Sequence, residues 1–132
     1  MIKFTVMGQP IAKARPRVCK HGTYTPKRTA DYENLVRAIC LECNPEPLEG
    51  HLRATIDFYM QIPKSRTKAD KEKMGTGEIR PTPRPDLDNL IKSILDPING
   101  IAYKDDSQVV EIVARKFYSD RPRAEVIIEE EQ

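Results

Sequence analysis

Two aspartates set two residues apart, Asp86 and Asp88, precede a lysine one helical turn later, Lys92, and a second acid pair, Asp105-Asp106, follows after a turn. Clustered carboxylates suit a hard divalent cation, because they supply oxygen ligands and leave coordination positions for water and phosphate. Magnesium is the natural ion for such a set. Bound there, it would lower the pKa of a coordinated water and stabilise charge on phosphoryl oxygens, which is the chemistry of phosphodiester hydrolysis. Lys92 would stabilise the pentacovalent transition state or orient the attacking water. Asp88 and Lys92 are also spaced for an ordinary i, i+4 helix salt bridge worth about 0.3 kcal/mol. The reading of a site therefore rests on the whole set, since Asp86, Asp88, Asp105 and Asp106 would repel one another unless separated, protonated or neutralised. An EF-hand is excluded because Ile91 stands where its loop needs glycine. A Walker loop, a nucleophile elbow and a dinucleotide fingerprint are absent.

Positioning these groups requires a helix over residues 87–96. Leu87, Leu90, Ile91, Ile94 and Leu95 make an apolar stripe, with Asp88, Lys92 and Asp96 on a polar stripe beside it and Asp86 at the cap. Asp105 or Asp106 would return to this helix start after the Asn99-Gly100 turn. Ile2, Phe4 and Val6 alternate with polar residues and predict a first strand; residues 52–62 form the clearest strand, ended by Pro63. Between them, Thr29 is placed to cap a helix whose first turn holds Asp31 and Glu33. Tyr32, Leu35, Val36, Ile39, Cys40 and Cys43 follow helical spacing and make its apolar side, and the helix stops at Asn44-Pro45. Residues 64–84, with basic, Gly and Pro punctuation, read as a mobile basic segment holding a short exposed helix. Residues 109–118 and 123–129 read as strands joined in a hairpin through Ser119-Asp120-Arg121-Pro122. The expected fold class is α/β (α+β), a two-layer arrangement of a mixed sheet of about four strands with two main helices on one face.

A chain of 132 residues fits a single domain over 1–132 that needs neither metal nor disulfide to build a core. Net charge is only +2, yet residues 1–28 hold seven Lys or Arg and no acid. Lys13, Arg15 and Arg17 alternate, so an extended backbone would aim them one way, toward phosphates, although a solvated loop would look the same. No apolar run approaches a membrane span, and Met1 leads directly into a charged strand, which points to a cytoplasmic protein. Cys40 and Cys43 have zinc-like spacing and could recruit Cys19, His21 or His51, the basis of a zinc-stabilised interaction protein. Their place on a helix, with Cys40 on its apolar side, favours plain thiols. The acidic Glu129-Glu130-Glu131-Gln132 end reads as a solvated terminus.

The residues Arg-Pro-Asp-Leu-Asp-Asn-Leu-Ile-Lys at 84–92, then Asp96, Asn99-Gly100 and Tyr103-Lys104-Asp105-Asp106-Ser107-Gln108, resemble the RusA family of Holliday junction resolvases. Gly8-Gln9-Pro10, Lys13-Ala14-Arg15-Pro16-Arg17 and Tyr24-Thr25-Pro26 resemble the branch common in phages and prophages. The resemblance implies a homodimeric endodeoxyribonuclease that makes paired nicks in four-way DNA junctions with Mg²⁺, Mn²⁺ being able to substitute. By position, Asp86, Asp88 and Asp106 would be the catalytic, metal-binding carboxylates and Lys92 the essential lysine. Lys13, Arg15, Arg17 and Arg84 are the expected DNA contacts. A non-catalytic binder of branched DNA on the same fold is the alternative.

Overall fold

The computed structural model describes residues 1–43 and 46–131, apart from the side chains of Arg17 and Tyr24. The expected helix stop at Asn44-Pro45 and the last residue of the acidic tail lie outside the described residues. Among the described residues, six strands and three α-helices follow in the order β1 (Ile2–Met7), β2 (Arg17–Cys19), β3 (Gly22–Tyr24), α1 (Lys27–Cys43), β4 (Leu52–Gln61), α2 (Lys68–Thr76), α3 (Leu87–Leu95), β5 (Val109–Ser119) and β6 (Arg123–Glu130). The expected mixed α/β (α+β) sheet of four strands is present.

Alternation sets which face of each strand is wet. Ile2, Phe4 and Val6 of β1, the even residues of β4 from Leu52 to Met60, and Ala124, Val126 and Ile128 of β6 all point inward. Helices α1 and α3 cover that face with Tyr32, Val36 and Cys40 from one, and Leu90, Ile94 and Leu95 from the other, whereas Leu35 and Cys43, expected on the apolar side of α1, lie at the margin of the buried stripe and are exposed. Each such aliphatic side chain contributes about 1.5–3 kcal/mol of transfer free energy, which offsets the ordering of the chain. The opposite face carries the odd residues: Arg53 pairs with Glu129, Arg115 with Asp57, and Tyr59 stacks on Phe117.

Strand order is β1-β6-β4-β5, with β4 and β5 parallel and the other neighbours antiparallel. This corrects the hairpin expected at 119–122, because β4 lies between β5 and β6. The pattern of burial explains it: β6 buries every second residue and sits inside the sheet, whereas β5 is exposed through most of its first half. The short link crosses the end of β4, where Ile62 N donates to Ser119 O at 3.3 Å and Gly8 N to Pro122 O at 3.0 Å.

Three other expectations change. The helix α1 starts at Lys27, before Thr29, so Thr29 is a buried first-turn residue whose Oγ1 accepts from Ala14 N at 3.3 Å. Residues 17–24 of the basic loop form the small β2–β3 hairpin. The basic segment 64–84 contains α2, capped by Thr67, whose hydroxyl accepts from Asp70 N at 3.1 Å, and closed by Gly77 in the left-handed region. Met74 buries fully in the core and fixes α2 to the domain. Among the described residues no helix is long and apolar enough to cross a membrane.

Candidate active site

Helix α3 is strongly amphipathic. Leu90, Ser93, Ile94 and Leu95 are buried, which turns Asp88 and Lys92 outward. Asp86 is the N-cap residue, but its carboxylate makes no capping hydrogen bond, so it remains available to a ligand. The loop after β1 runs alongside and is fastened to α3 by Lys13 N, which donates to Asn89 O at 2.9 Å. Between loop and helix lies a cleft of about 540 Å³ whose walls include Lys13, Arg15, Asp86, Asp88, Lys92 and Asp96. Arg84 joins Arg15 and Asp86 around an adjoining recess.

The charges in this cleft divide into engaged and free. Lys13 Nζ contacts Glu33 at 3.0 Å and Asp96 at 3.1 Å. Partial burial pulls its pKa down, but the hydrogen bonds and charges of Glu33 and Asp96 outweigh that and leave it raised. Among the described residues, the carboxylates of Asp86 and Asp88 and the ammonium of Lys92 have no hydrogen-bond or ion-pair partner. The i, i+4 bridge between Asp88 and Lys92 does not form. Three ionic groups thus face one cleft unneutralised by each other, an arrangement with no benefit to the fold.

The second acid pair is built differently. Asp105 caps a single 3-10 turn at Asp106–Gln108, accepting from Ser107 Oγ at 2.6 Å, while Gln108 Oε1 accepts from Lys104 N at 2.9 Å and Asp105 N at 3.1 Å. The Ser107 hydroxyl is the main cause that holds the Asp105 carboxyl below its ordinary pKa. Asp106 is exposed. Buried Tyr103 fastens this segment to α3 by donating its hydroxyl to Leu95 O at 2.7 Å. Its pKa is raised, first by burial and then by the charges of Asp106 and Asp96. The hydrogen bond ties this segment to the C-terminal end of α3, whereas Asp86 sits at the N-terminal end. Among the described residues no three His, Cys, Asp or Glu side chains are close enough to hold an ion together. The Asp86 and Asp88 pair nonetheless fits Mg²⁺, which is commonly held by one or two carboxylates and completes its shell with water and phosphate.

Arg15 and Arg84 are exposed at the rim, and the side chain of Arg17 lies outside the described residues. Cys40 is buried in the core, which pushes its thiol pKa up to about 11, and Cys19 and Cys43 are exposed. One residue the sequence did not single out is Lys116 of β5, whose Nζ donates to Pro83 O at 3.1 Å and Pro85 O at 2.8 Å, just ahead of Asp86. Arg80 Nε in turn donates to Lys116 O at 2.9 Å, and its guanidinium lies 4.4 Å from the Phe117 ring centre. Only the three-dimensional pairing of β5 with that stretch could reveal the contact, because the residues lie more than thirty positions apart.

Comparison with known proteins agrees with this geometry. The protein YqaN of Bacillus subtilis (strain 168), itself named as uncharacterized, is 40% identical over 136 residues, spanning 98% of this chain and 96% of that protein. A crossover junction endodeoxyribonuclease rusA of Lactococcus phage r1t is 44% identical over 50 residues, 37% of this chain and 38% of the phage protein. The family profile described as endodeoxyribonuclease RusA matches residues 7–129, which contain α3, the cleft and both acid pairs, and the chain belongs to the RusA endodeoxyribonuclease family.

Proposed function

We propose that this chain is a Mg²⁺-dependent, structure-selective endonuclease that resolves Holliday junctions by paired symmetric nicks in DNA recombination and repair, acting as a cytoplasmic homodimer. The observation that carries this reading is the free trio of Asp86, Asp88 and Lys92 in one cleft with a cationic rim. Its family membership and the name of the phage relative support the same substrate class. Asp86 and Asp88 would hold the ion, and Asp106, the third carboxylate of the expected set, stands apart from that pair and would join it only by moving toward the cleft when ion and DNA are bound. When bound, Mg²⁺ (or Mn²⁺ in its place) supplies an acidified water and charge stabilisation at the phosphoryl group.

The chain's own groups then have separate duties. Arg15 and Arg84, with Arg17 of the same basic run, bind backbone phosphates and set the register of the scissile strand over the cleft, while Lys13, held by Glu33 and Asp96, keeps the loop in place. Lys92, one turn from Asp88 and without a competing carboxylate, offers its ammonium to the oxygens on which charge develops. A four-way junction has approximate two-fold symmetry, so two sites related by a two-fold axis cut opposed strands equivalently.

Asp88→Asn provides the test. Removing one carboxylate weakens ion binding and reduces repulsion of phosphate, so nicking of a synthetic four-way junction in Mg²⁺ should fall by about a thousandfold while junction affinity is unchanged or rises. Equal loss of binding and cleavage would place Asp88 in the fold or the DNA surface. A wild-type protein that binds junctions but fails to nick them across metals and pH would leave the non-catalytic binder.

A further inference from the structure

A second cavity, of about 390 Å³, adjoins the catalytic cleft along the loop that follows β1. Ala14 lines both, and Pro85 lines this cavity as well as the recess that holds Arg15, Arg84 and Asp86. Its walls are apolar, made by Pro10, Ile11, Ala12, Pro26 and Pro85. They are also tied in place from outside: Gly8 N donates to Pro122 O at 3.0 Å, Lys13 N to Asn89 O at 2.9 Å and Ala14 N to Thr29 Oγ1 at 3.3 Å. An apolar space left open forfeits packing contacts for the atoms around it. Ala12 and Ala14, the smallest side chains of the wall, keep it open.

Three polar side chains line the cavity, and what they have left to offer is donors. Gln9 Oε1 accepts from Gln61 N at 2.9 Å, which leaves its amide nitrogen, and Thr29 Oγ1 accepts from Ala14 N, which leaves its hydroxyl proton. Arg28 is exposed and has no hydrogen-bond or ion-pair partner among the described residues. Apolar walls with donors beside them suit a flat ring that carries carbonyl oxygens on its edge. A nucleic acid brings such a ring on each sugar, and a phosphate held by Arg15 or Arg84 places the next base beside this cavity.

We propose that the cavity receives one unstacked nucleobase of the strand crossing the catalytic cleft, and that Gln9 and Arg28 select a carbonyl-bearing base there, guanine, cytosine or thymine over adenine. This rests on the DNA-cleaving reading of the cleft and deepens it by naming a base-recognition site. Unstacking costs least for a base that has lost its partner, as at a branch point, and apolar walls replace the stacking surface it gives up. Adenine alone among the four bases has no carbonyl oxygen, so it matches the two donors worst. A base held here also fixes the phosphate next to it over Asp86 and Asp88.

Four-way junctions carrying pyrrolocytosine at single positions around the branch point test it, because stacking quenches the emission of this carbonyl-bearing base. With saturating wild-type protein in EDTA, emission should rise by about twofold or more at one position and stay near the free-junction value at the others. Ala12→Leu, which fills the cavity, and Arg28→Ala, whose side chain is exposed, should each keep the circular dichroism of the fold and remove most of that rise. In Mg²⁺, adenine at the same position should slow nicking by about tenfold or more, and Arg28→Ala should shrink that penalty to less than about threefold. Emission that is uniform over all positions, a rise that both variants keep, or nicking indifferent to the base there would each overturn the base site. A change of oligomeric state on Ala12→Leu would give the cavity to a side chain of a second copy instead. Junction binding and nicking without a local rise sink the base site alone, whereas a protein that binds no junction sinks the nuclease reading along with it.

Discussion

Asp105 and Asp106 are adjacent and identical in type, yet the structure gives them different work. Asp105 spends its carboxylate on Ser107 and on the backbone of its own turn, while Asp106 is turned to solvent. Asparagine is as good an N-cap as aspartate, so Asp105→Asn should keep both the turn and cleavage within about threefold of wild type. Asp106→Asn should lower cleavage by about a hundredfold or more with no change in melting temperature. Junction-nicking rates and thermal melts of the two variants decide it; the reverse ranking would exchange their roles. At this scale the sequence was legible where type and spacing determine the outcome: Asp86, Asp88 and Lys92 do share one cleft. It was not legible where partners come from elsewhere in the chain. Lys13, expected among the phosphate contacts, reaches Glu33 and Asp96, and those contacts cross between a loop and two helices.

Helix α3 is held at both ends by residues of other elements. Tyr103 donates its hydroxyl to the carbonyl of Leu95, the last residue of the helix, and Lys116 reaches from β5 to the carbonyls of Pro83 and Pro85 before its first turn. An ammonium shared by two carbonyls makes charge-assisted bonds worth about 1.5–3 kcal/mol when shielded, less here because the side chain is partly exposed. Its consequence is geometric: it fixes the segment from which Asp86 projects. Lys116→Met should therefore reduce cleavage at saturating junction by about tenfold while changing junction affinity by less than about twofold, and Lys116→Arg should restore most of the rate. A parallel loss of affinity and rate, unrepaired by arginine, would make Lys116 a DNA contact instead. The elements themselves were legible from periodicity, as β1, β4, β6 and α3 show. Strand neighbours were not, because a three-residue link between β5 and β6 fits a hairpin as well as it fits a crossing past the end of β4.

Across the whole molecule, net charge says little, since +2 is spread over 22 basic and 20 acidic residues. What matters for a polyanion is which cations are uncommitted. Lys13 is already compensated by two carboxylates, whereas Arg15 and Arg84 stand at the cleft rim with no ion-pair partner among the described residues. Binding that releases counterions varies with salt by about 0.9 log unit per phosphate neutralised on duplex DNA. The double variant Arg15→Ala, Arg84→Ala should thus flatten the plot of log affinity against log salt by about two units for each chain engaged, and about four for a dimer on one junction. Lys13→Ala should behave differently: it frees Glu33 and Asp96 beside the cleft, so affinity falls through added repulsion while the slope changes by less than about one unit. Fluorescence anisotropy with a labelled junction over a salt series measures both. If Lys13→Ala flattens the slope as much as the arginine pair does, its ammonium leaves Glu33 and Asp96 when DNA binds, and the loop after β1 is a direct phosphate contact along its whole basic run.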